Sequence, residues 1–239
     1  MLTVSVVVPA HNEERRIGRC IAALRREFEA QGMRGEILVV DNASTDGTRE
    51  EALKHPGVTV VDERFKGRVQ ARRAGAVVAG GELIALIDAD AVVSPGWLAC
   101  AVEEFTQHPQ LAAISGPLLY PRLDAVDRAL VVLGYALAYV AHLLSTAAFG
   151  KPLLFESGNC VLRRQSVRQA GGFELASPFW GDDACLLRGL CATGEVRWVP
   201  RLRAAASARG LRREGVVVAG ARYAYRHATA LFFPTGRVQ

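Results

Sequence analysis

Asp88 and Asp90 flank Ala89 directly after the apolar run LIALI. A single turn at a strand end aims both carboxylates at one mouth, where like charges repel unless a cation sits between them. Hard oxygen ligands in a loop suit Mg²⁺ or Mn²⁺, which keep several waters and bind substrate phosphates as well. One Asp after a strand is ordinary turn chemistry. Here Asp41 closes a second apolar run, and a first run ends in Pro9-Ala10-His11-Asn12-Glu13. Far along the chain, Trp180-Gly181-Asp182-Asp183 opens a segment of helical period. The plainer account of that last pair is electrostatic: acids near a helix N-terminus gain about 0.3–1 kcal/mol each, which explains one of them comfortably.

These groups need a scaffold. Thr3 to Pro9 and Glu36 to Asp41 read as buried strands, Val58 to Asp62 as a third and Glu82 to Asp88 as a fourth. Between them lie helical segments: Glu13 to about Gln31, stopped by Gly32; Thr48 to Lys54, N-capped by Ser44 or Thr45; and Arg68 to Ala79, closed by Gly80-Gly81. Pro95 opens a further helix to about His108. Strands alternating with helices predict an α/β fold, a mostly parallel sheet flanked by helices, in which ligands bind beyond the carboxyl ends of the strands. After residue 110 the pattern weakens. Ala112 to Leu119, Asn159 to Arg163 and Val196 to Pro200 read as strands, and Arg164 to Ala170 and Asp182 to Thr193 as helices.

The chain has 239 residues, half of them apolar and 22% charged. That composition buries a sizeable core without disulfides or metal, and with no linker or repeat a single domain is expected. It excludes disordered, collagenous and coiled-coil classes. The net charge of +5 suits an anionic partner, but no recognition motif accompanies it, so nucleic acid is not expected. Five cysteines, Cys20, Cys100, Cys160, Cys185 and Cys191, form no CxxC pair, which reads as reduced thiols of a cytosolic protein. Met1 leads straight into a strand without a basic leader, so no signal peptide is expected. The five histidines have no triad or metal spacing, and His11 stands apart only through its loop.

Taken together, SVVVPAHNEE (5–14), VVDNASTDGT (39–48), ARRAG (71–75), GELIALIDADAVVSPGWL (81–98), SGNCVLRR (157–164), AGGF (170–173) and GDDACLLRGL (181–190) resemble the family 2 glycosyltransferases of the GT-A fold. The likeness runs in family order over roughly residues 3–210. It implies an enzyme that transfers a sugar from a nucleotide diphosphate to an acceptor hydroxyl or lipid phosphate, with inversion. It implies that Pro9, Ala10, His11 and Glu13 line the nucleotide pocket and that Val40 and Asp41 contact base and ribose. Arg68, Arg72 and Lys66 are then candidates to reach the diphosphate or support the site. Asp88-Ala89-Asp90 is the DxD motif, Asp88 facing ribose or sugar and Asp90 binding Mn²⁺ or Mg²⁺; Asp183 is the general base, with Asp182 where Glu is usual. UDP-sugars are the favoured donors and GDP-mannose the next. The chemistry agrees, since an attacking alcohol must lose its proton and a leaving diphosphate gains charge.

Four positions depart from the common pattern: Arg73 for Asn, Val92 where some relatives add a metal ligand, Cys185 where a second acid often follows the base, and Ser207-Ala208-Arg209 in place of a metal-binding His. The resemblance also puts Glu156-Ser157-Gly158-Asn159 on the acceptor side. It divides the chain into a nucleotide-binding half, 1–110, an acceptor-binding half, 111–210, and a basic, aromatic extension, 211–239. Ala129 to Phe149 carries no formal charge over 21 residues, which leaves three readings: a bilayer span, a buried or dimer-forming helix, or an interfacial helix beside the acceptor site. The extension suits an anionic membrane surface or a solvated helix with an aromatic core face. The expected location is cytoplasmic, with peripheral contact at the inner membrane face. The competing functions are a nucleotidyltransferase, disfavoured because PAHNEERR has no glycine in its turn, and a non-catalytic protein that binds nucleotide sugars or a membrane.

Overall fold

The computed structural model of the chain describes residues 2–173 and 182–232, with the backbone alone for 182–185 and 226–232. The first half follows the alternation read above: β1 (Val4–Ala10), α1 (Glu14–Gln31), β2 (Gly35–Asn42), α2 (Thr48–Leu53), β3 (Val58–Glu63), α3 (Arg68–Val78) and β4 (Leu83–Ile87). Then come β5 (Val92–Val93), α4 (Trp97–Gln107), β6 (Leu111–Ser115), β7 (Leu118–Leu119), α5 (Ala125–Phe149), β8 (Asn159–Arg163), α6 (Arg164–Gln169), α7 (Asp182–Cys191), β9 (Glu195–Trp198), β10 (Ala204–Ala205), α8 (Arg209–Glu214) and α9 (Val216–Phe232).

Seven strands form one sheet in the order β3-β2-β1-β4-β8-β6-β9. Every pairing is parallel except the two made by β8, which runs against β4 and β6. Because successive strand residues face opposite sides, Val6 and Val8 pack with Ile17, Ile21, Leu24 and Trp97 from α1 and α4, while Val7 packs on the other face with Ala71 of α3. Both faces are thus covered, as parallel strands require. The helix α1 shows the matching period: Ile17, Cys20, Ile21 and Leu24 are buried, and Gly32 ends it in the left-handed region (φ 57°). Its buried Glu27 accepts the Gly96 and Leu98 N–H groups (3.1 and 2.9 Å), capping α4 where no side chain of its own does so.

The expected single strand 112–119 is two strands in different sheets. Gly116 and Pro117 separate them, and a Cβ on Gly116 would run into the Leu202 carbonyl. The strand β7 instead joins β10 and β5 in a small second sheet. Strands of two residues carry no readable period, and the sequence reading missed β5 and β10.

The decisive register is that of β8. Because it is antiparallel, its first residue, Asn159, pairs with Ile87 at the end of β4. The start of β8 therefore shares an edge with the ends of β1, β2 and β4. Asn159 is buried there; its Oδ1 accepts from Trp97 Nε1 (2.8 Å) and its Nδ2 donates to the Leu202 and Pro117 carbonyls (2.7 and 3.3 Å).

Candidate functional site

Two loops at that edge are stitched together by side chains. Asn12 and Ala43 both take left-handed backbone (φ 57° and 53°), turning the chain sharply out of β1 and β2. Asn12 Oδ1 accepts from Thr45 N (2.8 Å), Ser44 Oγ accepts from Asn12 N (3.1 Å), and Thr48 Oγ1 accepts from Glu13 N (2.8 Å). His11 Nδ1 donates to the Asn42 carbonyl (2.8 Å); a carbonyl only accepts, so that nitrogen carries a proton. Asp41 Oδ1 accepts from Ser44 N (3.3 Å). The buried Asn42 binds the Phe65 carbonyl through Nδ2 (2.8 Å) and accepts from Gly67 N (2.7 Å), fixing the loop that leads into α3 and Arg68. Sequence reading assigned no role to Asn42; its one signal was an amide at the end of an apolar run.

The Asp88-Ala89-Asp90 turn follows β4. Asp88 N donates to the Gly158 carbonyl (3.1 Å), and Ala91 N closes the turn on the Asp88 carbonyl (2.9 Å). The Asp88 carboxylate lies against Gly158, where a Cβ would collide with it. Arg72, buried in α3, brings its Nη2 to 3.7 Å from Asp88 Oδ1. Asp90 Oδ2 accepts from Arg209 Nη2 (3.0 Å), and the same nitrogen binds Glu13 Oε1. Glu13 Oε2 also accepts from Arg16 Nη1 (3.2 Å). Burial pushes the Asp90 carboxyl above its ordinary pKa, the nearby Glu13 charge adds to the rise, and Arg209 opposes it. The Cys20 thiol beneath the turn and the Tyr120 hydroxyl are both driven up by burial, with the charges of Asp88 and Asp90 adding to it, so both stay protonated at neutral pH.

The structure gathers Glu13, Arg72, Asp88, Asp90, Gly158 and Arg209 around one edge. Pro9 and Ala10 end β1 beside Val40 and Asp41 of β2. The side chains of Ala10, Val40 and Ala89 are buried in the core, which leaves their backbone at the edge. Arg68 opens α3, and Lys66 is exposed. The backbone of Asp182 and Asp183 opens α7, and their side chains lie outside the described residues.

Among the described residues no group of three His, Cys, Asp or Glu is gathered to hold a metal. Asp88 and Asp90 are a hard-oxygen pair, and a Mg²⁺-type ion commonly takes only one or two carboxylates, completing its shell with phosphates and water. The donor set therefore fits such an ion arriving with a diphosphate. Arg209 closes the Ser207-Ala208-Arg209 stretch that the resemblance sets in place of a metal-binding His, and its contact with Asp90 joins residues 119 apart.

The family model described as Glycosyl transferase family 2 matches residues 5–170. The chain is similar to glycosyltransferase AglE of Haloferax volcanii (31% identical, covering 40% of this chain and 33% of the relative). It is also similar to dodecaprenyl-phosphate galacturonate synthase of Rhizobium johnstonii (33% identical, covering 43% and 32%). The chain spans a third to just under half of the length of such curated relatives. Its fold resembles that of a mannosyltransferase from Pyrobaculum calidifontis solved with GDP-Man and Mn2+, at a TM-score of 0.69 and 21% identity, covering 95% of this chain and 72% of that one. The strand-end carboxylates, the α/β architecture and the family model over residues 5–170 converge: this chain belongs to glycosyl transferase family 2.

Proposed function

We propose that this chain transfers a sugar from a nucleotide-diphosphate sugar to an acceptor, with inversion, using Asp183 as general base and Asp88 and Asp90 at the donor. The observation that carries the reading is the meeting of Asp88, Asp90, Glu13 and Arg72 beyond the carboxyl ends of β1 and β4, the edge at which open α/β sheets bind ligands.

Asp41 and the loop after β1 receive the nucleoside. Asp90 and Asp88 would hold a divalent ion, which when bound would supply Lewis-acid stabilisation of the departing diphosphate. Arg72 orients Asp88 from within the core, and Arg68 and Lys66 complement the phosphates. Asp183 takes the proton from an attacking hydroxyl, or from a lipid phosphate oxygen that still carries one, on the sugar face opposite the leaving group; a fully ionised phosphate attacks without this step. Tyr120 stays neutral beside the acids and remains a hydrogen-bond donor.

A UDP-sugar is the favoured donor and GDP-mannose the next; the Pyrobaculum neighbour was solved with GDP-Man. A lipid phosphate is the favoured acceptor, supported by the name of the Rhizobium relative. Calorimetry of UDP- and GDP-sugars with and without Mn²⁺ tests the donor, because a metal-dependent increment is expected that Asp90→Ala removes. Transfer is then read by NMR of the product, and a retained anomeric configuration would overturn the inverting mechanism.

A further inference from the structure

The helix α5 is built inside out. The residues it turns inward are Val131, Tyr135, Ala138, His142 and Ser145, of which only His142 and Ser145 are buried. Three of these five are polar. Tyr135 Oη accepts from Leu118 N (3.3 Å), and His142 Nδ1 accepts from the Leu153 and Leu154 N–H groups (3.2 Å each). The outward face carries Leu130, Leu133, Leu137, Val140, Leu143 and Leu144, between 38% and 66% exposed. A helix facing water does the reverse, with its apolar stripe on the core and polar residues outside. A continuous exposed apolar face marks a non-aqueous neighbour.

Three observations choose that neighbour. At 3.6 residues per turn these side chains and Val132 cover an arc of about 180°, wider than the seam one partner helix fills. Residues 120–151 hold three basic and two acidic residues, and among the described side chains of 209–225 there are four and one, a net +4. That charge lies beside α5, because Arg212 of α8 donates to the Arg122 carbonyl and Tyr223 of α9 donates to the Phe155 carbonyl (2.6 Å). Apolar side chains flanked by concentrated positive charge complement an anionic lipid surface. The pairing pattern fixes the orientation. The chain pairs β7 with β10 before α5, and β8 with β4 and β6 after it. Both ends of α5 therefore return to the same body, and a single crossing of a bilayer is excluded.

We propose that α5 lies in the plane of an anionic bilayer, its Leu130–Leu144 face sunk among the acyl chains and Arg212, Arg213 and Arg222 at the headgroups. Such helices sink about 5–10 Å. The inner face of α5 packs on the body of the fold, where the Tyr135 ring lies 5.7 Å from that of Trp198 at the end of β9 and its Oη accepts from Leu118 N of β7. The seat thus brings that body to the surface from which a lipid acceptor would be drawn.

Co-sedimentation with vesicles of phosphatidylglycerol and phosphatidylcholine tests this without donor, metal or acceptor, so its outcome is independent of the transferase reading. The wild type is expected to pellet, to bind pure phosphatidylcholine more weakly, and to be released by alkaline carbonate. Leu137→Glu and Leu144→Glu are each expected to lower partitioning on the order of tenfold. Leu53→Glu, on exposed α2, is expected to leave it unchanged. Both α5 positions are exposed, so unchanged thermal melts are expected to show that folding is intact. Failure of the wild type to bind, equal binding by both variants, or resistance to carbonate overturns the proposal. So does a wild-type dimer that Leu137→Glu dissociates with no vesicle binding.

Discussion

Arg209 Nη2 lies 3.0 Å from Asp90 Oδ2 and binds Glu13 with the same nitrogen, so one guanidinium from α8 bridges the turns that follow β1 and β4. It supplies positive charge where two carboxylates would otherwise repel. A divalent ion entering at Asp90 must compete with it or share the carboxylate.

Arg209→Ala is therefore expected to tighten Mn²⁺ binding to the nucleotide-free protein. Arg209 is about half exposed, so the gain is screened and is placed at roughly three- to tenfold. Titration calorimetry checks this, and weaker Mn²⁺ binding in the variant would show that Arg209 assists the metal.

Asp183→Asn keeps size and removes basicity. Transfer is expected to fall by about 10²–10⁴ while donor binding holds within a few-fold. A variant with normal turnover would remove Asp183 from the base role.

Gly158→Ala places a methyl group against the Asp88 carboxylate. Donor binding with Mn²⁺ is expected to weaken by on the order of tenfold, with a small change in melting temperature, because the displaced carboxylate is partly exposed and the surrounding core is untouched. Binding and melting curves measured together separate a site effect from a folding one.

Asn159→Leu is expected to cost stability. The Leu202 carbonyl loses its side-chain donor and Trp97 Nε1 its acceptor, while the Pro117 carbonyl keeps the Ala204 N–H, a loss of about 2–6 kcal/mol for two buried groups at roughly 1–3 kcal/mol each. Denaturant unfolding reads it directly.

His142 is held neutral: burial lowers its pKa, and its Nδ1 accepts two backbone N–H groups. The folded state binds its proton less readily than the unfolded one. Its contribution is thus complete above the unfolded value of about 6.5 and is lost as pH falls below it, down to the depressed folded value. His142→Gln is expected to flatten that segment of the curve of melting temperature against pH. A parallel curve would assign the acid sensitivity elsewhere.

The sequence by itself determined the first half of this protein. Largely apolar runs of four or five residues, each closed by Asp or Pro, specify the parallel strands β1 to β4, and Asp88 and Asp90 follow directly because a strand end fixes where its next residues point. Local information of this kind did not reach further. Asn42 and Glu27 read as unremarkable polar residues and the resemblance set Asn159 on the acceptor side; only the folded chain gives the three the carbonyls and helix end that their side chains satisfy. The Arg209–Asp90 bridge spans 119 residues, a separation at which no residue period carries information. Composition left three environments open for the apolar segment that became α5. Tertiary structure set aside the single span and burial within the chain, because pairing of β8 with β4 and β6 returns the chain to one side, and packing turned the helix's polar stripe inward and its leucines out.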